Sequence, residues 1–84
     1  MSTARREFFP QILRKRDVES NTWNSASVFK GADGGFSLYA PTLEEARAAI
    51  EREIADSYNA LEGCEIVSTR ILERIVTDWE VVAS

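Results

Sequence analysis

The chain has 84 residues, room for one small domain, and carries 10 lysines and arginines against 14 aspartates and glutamates, a net charge of −4. It holds no histidine and one cysteine, Cys64, which excludes an internal disulfide, a cysteine metal cluster and the commonest general base and metal ligand. A domain of this size buries only about 60% of its unfolded surface, which leaves dimerisation open, and no apolar run approaches the roughly 18 residues of a membrane span.

Residues 1–21 read as a basic N-terminal arm or a short element. Arg5, Arg6, Arg14, Lys15 and Arg16 stand there against Glu7, so residues 1–16 carry +4 and residues 17–84 carry −8. A basic arm on an acidic body is a statement about partners rather than fold. Phe8, Phe9, Ile12 and Leu13 line one side of a short helix begun near Pro10, or Gln11 to Val18 runs as an edge strand. The polarity pattern leaves both open. Phe8-Phe9-Pro10-Gln11 is not a signal-peptide core, so a cytosolic protein is expected.

Glu19 to Ser27 is polar and short-chained and predicts a turn. Residues 22–84 then form a single acidic α+β domain. Val28 to Ala40 reads as a β-hairpin whose Asp33-Gly34-Gly35 supplies the positive backbone angles of a tight turn. Trp23, Ser25, Ser27 and Phe29 fall on one face of the first strand, and Phe36, Leu38 and Ala40 on one face of the second. The glycines lack the spacing and the lysine-serine pair of a phosphate loop.

Pro41 ends that strand, and Thr42 followed by Glu45 is a capping box. Leu43, Ala46, Ile50, Ile54, Tyr58 and Leu61 recur at helical spacing as one apolar stripe. Gly63 suits a left-handed terminus, so the helix is expected over about 42–62. Cys64 to Val82 is rich in β-branched residues. It reads as one long bent strand or as two strands reversing near Leu72–Glu73, with a lean toward two. Cys64 itself reads as a small, half-buried residue with no activating cation nearby in sequence.

The expected architecture is α+β: an antiparallel sheet of three to four strands packed on one amphipathic helix. Phe29, Phe36, Leu38, Leu43, Ile50, Ile54, Leu61, Val67, Ile71, Ile75 and Trp79 are the expected core.

The carboxylate pairs Glu44 with Glu45, Glu51 with Glu53, and Asp78 with Glu80 fit solvated faces rather than a catalytic cleft with pKa values pushed apart. Glu44, Glu51 and Glu62 stack on one outer helix face, while Arg47 with Glu51 and Arg52 with Asp56 are i,i+4 pairs. No catalytic residue, cofactor or metal is predicted, and the chain does not read as an enzyme. Arg14-Lys15-Arg16 suits phosphates, but a body of −8 repels a duplex, and Trp23 and Trp79 sit at packing parities. Direct nucleic-acid binding is not expected.

Carboxylates on a rigid helix can instead act as a nucleic-acid mimic, following a phosphate path into a protein's cationic groove. Small, acidic, single-domain α+β proteins without catalytic residues are typical of phage-encoded inhibitors. Over its whole length the chain resembles the anti-CRISPR proteins in size, charge and architecture. That resemblance implies a host-cytosol inhibitor that binds a CRISPR surveillance complex and blocks target-DNA access or nuclease recruitment. The partner would be a protein or ribonucleoprotein with a basic groove, met by Glu44, Glu45, Glu51 and Asp56. Arg14, Lys15 and Arg16 would supply a second contact of opposite sign.

A local resemblance spans residues 28–54. Asp33-Gly34-Gly35-Phe36, a strand, then Thr42-Leu43-Glu44-Glu45-Ala46 with Ile50 is similar to the hairpin-to-helix passage of HicB-type antitoxins. It implies an α+β domain that binds a small toxin, and the family's C-terminal DNA-binding segment has no room here. A generic adaptor for a small protein belongs to the same alternative.

Overall fold

Ala4–Arg14 is a single extended strand, β1, and it forms the centre of the sheet in the computed structural model. The structure describes residues 4–29 and 34–77. On one side β1 pairs antiparallel with the two-residue strand β2, Asn24–Ser25, and on the other with β5, Ile66–Thr77. A second, two-stranded sheet joins β3, Val28–Phe29, to β4, Phe36–Ser37. One helix, α1, spans Leu43–Ala55. The fold is α+β, as expected.

The basic segment is therefore a central strand as far as Arg14, followed by a short 3-10 turn over Lys15–Asp17, rather than a helix begun near Pro10 or an edge strand over residues 11–18. Residues 4–14, read as an arm or short element, are the middle of the sheet. Pro10 is tolerated there because of where its missing N–H would point. Phe8 exchanges both backbone bonds with Ala40, at 2.9 and 2.8 Å, and the Pro10 carbonyl accepts from the Ala26 amide at 2.9 Å. In an antiparallel ladder the same parity faces the same neighbour. The absent donor of Pro10 thus lies on the interrupted side of β1 and costs β5 nothing.

β5 runs unbroken through Leu72 and Glu73, so the lean toward two strands is corrected: no Gly, Pro or Asn is present to reverse the chain. A bulge interrupts it near its start. Leu13 pairs with Ser68 and Arg14 with Ile66, which leaves Val67 without a partner. The expected hairpin is present as β3 and β4, and Gly34 has φ +71° in its turn. Asp33 lies outside the described residues. The first-strand face read from Trp23 to Phe29 is not one face. β2 and β3 belong to different sheets, and Ala26 and Val28, of the opposite parity, are the buried residues.

Thr42 is the helix N-cap, its hydroxyl accepting from the Glu45 amide at 3.2 Å. The far end falls short of the expected residue 62. Asp56 is extended, and a 3-10 turn, Ser57–Ala60, follows. Side chains account for the break. Asp56 Oδ1 accepts from the Tyr58 amide at 2.9 Å. Asn59 Nδ2 donates to the Glu53 carbonyl and, at 3.0 Å, to that of Ile54. The Glu53 and Ile54 carbonyls are thus satisfied without another helical turn. Gly63, at φ +81°, turns the chain into β5 rather than ending the helix.

The core differs most from expectation. It consists of Ile12, Ala26, Val28, Ala40, Ala46, Ala49 and Ile50, with Phe8, Ile66 and Ile71 packed against it. Of the expected core residues, Ile50 is buried and Ile71 is partly so. Phe29, Phe36, Leu38, Leu43, Ile54, Leu61, Val67 and Ile75 are exposed, and Trp79 lies outside the described residues. Four alanines with no exposed surface, Ala26, Ala40, Ala46 and Ala49, let helix and strands approach closely. The reach of the helix also limits the core. Thirteen helical residues span about 20 Å, whereas the 12 of β5 span about 40 Å. One end of the ribbon has no helix above it.

Candidate functional site

The four carboxylates expected to meet a partner are exposed but not gathered. Glu44 and Glu45 lie in the first turn of α1, where they complement the helix dipole. Asp56 lies beyond the last turn and is engaged as a cap. Glu51 belongs elsewhere. With Leu43, Arg47 and Ile50 it overhangs Thr69, Arg70 and Ile71, so that α1 and β5 enclose an open hollow. A neighbouring hollow lies between Ile54, Asn59 and the start of β5, from Glu65 to Thr69. Glu62, expected on the same helix face as Glu44, lies outside the helix. Arg52, expected to pair with Asp56, donates instead to the Ser27 carbonyl at 2.9 Å.

The basic triplet divides between inside and outside. Arg14 is buried. Its Nη1 donates at 2.6 Å to both Asn59 Oδ1 and the Cys64 carbonyl, and its Nη2 lies 3.6 Å from Glu53 Oε2. The guanidinium also lies 4.8 Å from the centre of the Tyr58 ring. A planar fork with several donors suits this arrangement, which a lysine would not reproduce. Arg14 is thus bound into the fold rather than presented to a partner. Lys15 is exposed. Arg16 donates to the Tyr58 hydroxyl at 2.9 Å, and this bond, followed by the attraction of the Tyr58 and Cys64 groups, holds its pKa above the ordinary value.

Cys64 is buried, and Arg16 Nη1 stands 3.6 Å from its sulfur. Sequence proximity hid this cation because it arrives from 48 residues away. Among the described residues, no three aspartate, glutamate or cysteine side chains come together as a metal site.

The sheet face away from α1 carries an arrangement that pattern reading missed. Glu7 is buried and bonded to Arg74, which lies over Phe9 at 5.0 Å. Arg70 Nε donates to Gln11 at 2.8 Å and lies over Trp23 at 4.1 Å. Phe9 in turn packs on Tyr39, ring centres 5.7 Å apart. These arginines are engaged with neighbouring rings and side chains, and Trp23 packs beneath one of them. The one sequence signal for this face is the alternation Glu7, Phe9, Gln11, which becomes readable only once residues 4–14 are taken as a strand.

No described strand covers the outer side of β5. The sheet order is β2-β1-β5, so a 12-residue strand forms its edge. Edge and hollow together offer unpaired backbone groups beside exposed Leu43 and Ile54. No protein-family model, curated protein or solved structure matches this chain. Among the described residues, no helix is long and apolar enough to cross a membrane.

Proposed function

We propose that the chain is a non-enzymatic protein-binding inhibitor, anti-CRISPR-like and phage-encoded, acting in the host cytosol. It would block a host-defence nucleoprotein complex by placing the carboxylates of α1 against a basic groove. The observation that supports this reading is the exposure of Glu44, Glu45 and Glu51 on α1, with Asp56 exposed just past its end. Of the basic triplet Arg14, Lys15 and Arg16, Arg14 is engaged inside the fold, which leaves Lys15 and Arg16 exposed for a second contact of opposite sign. Association of this kind is steered by charge and weakens as salt shortens the Debye length from about 10 Å at 0.1 M to about 3 Å at 1 M.

The second reading, an antitoxin-like (HicB-type) or adaptor domain for a small protein, is favoured by the open edge of β5 and the hollow beside it. Strand addition draws affinity from backbone bonds and apolar pockets, so it tolerates salt. Affinity capture from a bacterial lysate, washed at low and high salt and read by mass spectrometry, separates the two. Recovery of a small ribonuclease toxin overturns the inhibitor reading. A defence complex that still binds after charge reversal at Glu44, Glu45, Glu51 and Asp56 overturns the helix-face mechanism.

A further inference from the structure

We propose that two copies of this chain pair antiparallel along the outer edge of β5, with Ile71 on the two-fold axis, to form one continuous sheet. The inference concerns a second copy; it is compatible with the helix-face inhibitor reading and competes with strand addition by a small protein, which needs the same edge.

Backbone direction selects the residues involved. Phe8 and Pro10 bond away from β5, so the odd-numbered residues of β1 bond toward it. Their opposites on β5, Arg70, Leu72 and Arg74, therefore turn their backbone groups inward. Thr69, Ile71, Glu73 and Ile75 turn theirs outward, where no described strand meets them.

Side-chain charge and ladder length then select the register: axes on Thr69 or Ile75 also avoid like charges but soon run into the bulge at Val67 or the end of β5. A two-fold axis perpendicular to the sheet keeps each face on its own side and so joins residues of like parity. Centred on Ile71, it places Thr69 opposite Glu73, Arg70 opposite Leu72 and Ser68 opposite Arg74, with no like charges facing. Centred on Leu72, it sets Arg70 against Arg74 twice and Glu73 against Ile71. Centred on Arg70, Glu73 or Arg74, it sets a charge against its own copy. Like charges directly opposite are destabilising.

The Ile71 register also meets an apolar need. Ile75 is 65% and Val67 52% exposed. They lie equally far on either side of Ile71, so each end of the ladder brings one against the other. The bulge at Val67 limits the regular ladder to Ser68–Arg74, in which three outward pairs exchange about six backbone bonds. α1 lies over the sheet face, with Leu43, Arg47, Ile50 and Glu51 above Thr69, Arg70 and Ile71, so the second copy meets the outward backbone groups of β5 in the plane of the sheet, beside the helix.

Sedimentation equilibrium of the full chain at about 10–100 µM should give twice the 9.4 kDa chain mass. Glu73→Pro removes an outward donor and the exposed Arg6–Glu73 ion pair at 3.3 Å but no backbone bond to β1, and should give a monomer with unchanged circular dichroism. Thr69→Arg, opposite Glu73 at two symmetric places, should tighten the dimer about threefold, and Thr69→Glu should weaken it about tenfold. A wild-type chain that stays at monomer mass overturns the proposal. So does a dimer that tolerates Glu73→Pro, or one in which both Thr69 substitutions act in the same direction.

Discussion

Glu7 and Arg74 stand directly opposite each other on β1 and β5. Glu7 Oε1 accepts from Arg74 Nη2 at 2.7 Å and from Nε at 2.8 Å. The pair is asymmetric: the glutamate side chain is 5% exposed and the arginine 63%. Removing the arginine leaves a desolvated carboxylate, whereas neutralising the glutamate leaves a cation that water already reaches. Arg74→Ala should cost about 2 kcal/mol and Glu7→Gln about 1 kcal/mol, with solvent screening holding both below the usual cost of breaking a buried pair. Urea denaturation measures both, and the reverse order would show that the carboxylate is well hydrated.

Arg14 gives the second prediction. Its donors satisfy Asn59 and the Cys64 carbonyl, 45 and 50 residues away. Arg14→Ala should cost about 2–4 kcal/mol, because buried acceptors lose a charged donor. Arg14→Lys should recover only part of that, since one ammonium cannot reproduce the fork. Lys15→Ala, on an exposed side chain, should change stability by less than about 0.5 kcal/mol. Thermal melts of the three variants check this. Equal effects at Arg14 and Lys15 would restore the reading of a solvent-facing arm.

The third prediction separates two isoleucines one helical turn apart. Ile50 is 9% exposed and lies in the core, whereas Ile54 is 54% exposed. Ile50→Ala should cost about 2–4 kcal/mol through lost burial and a cavity. Ile54→Ala should cost less than about 1 kcal/mol. Thr42→Ala, which removes the acceptor of the Glu45 amide, should fall between them at about 1 kcal/mol. Periodicity alone assigns both isoleucines the same large cost, so chemical denaturation of this pair tests the structure directly.

Gly63 supplies the fourth. Its φ of +81° lies in the region that L side chains avoid, while an added Cβ would meet only Arg16 Cβ at 3.6 Å, an ordinary contact. Strain rather than collision should set the effect. Gly63→Ala should cost about 1–2 kcal/mol, and Gly63→Asn less, because asparagine tolerates this conformation better. Equal losses from the two would point to a steric clash instead.

The sequence alone determined what depends on near neighbours along the chain. The Thr42 cap, the start of α1, the glycine turn and the β-branched character of residues 66–77 arise from propensity and from bonds spanning a few residues. The α+β class follows from those elements. Tertiary structure decided what depends on distant partners. Residues 4–14 are undecided by pattern because Pro10 and the mixed polarity argue against a central strand; only the pairing with β5 on one side and Ala26 and Ala40 on the other satisfies their backbone. The helix ends early because Asn59 reaches back to its last carbonyls. The core is built from alanines because close approach of helix and sheet favours small residues, while a 13-residue helix leaves Val67 and Ile75 of a longer strand uncovered. The placement of charge follows the same division. Glu44 and Glu45 are exposed as the helix period requires, but Arg14 and Glu7 are interior because partners 45 to 67 residues away complete their bonds.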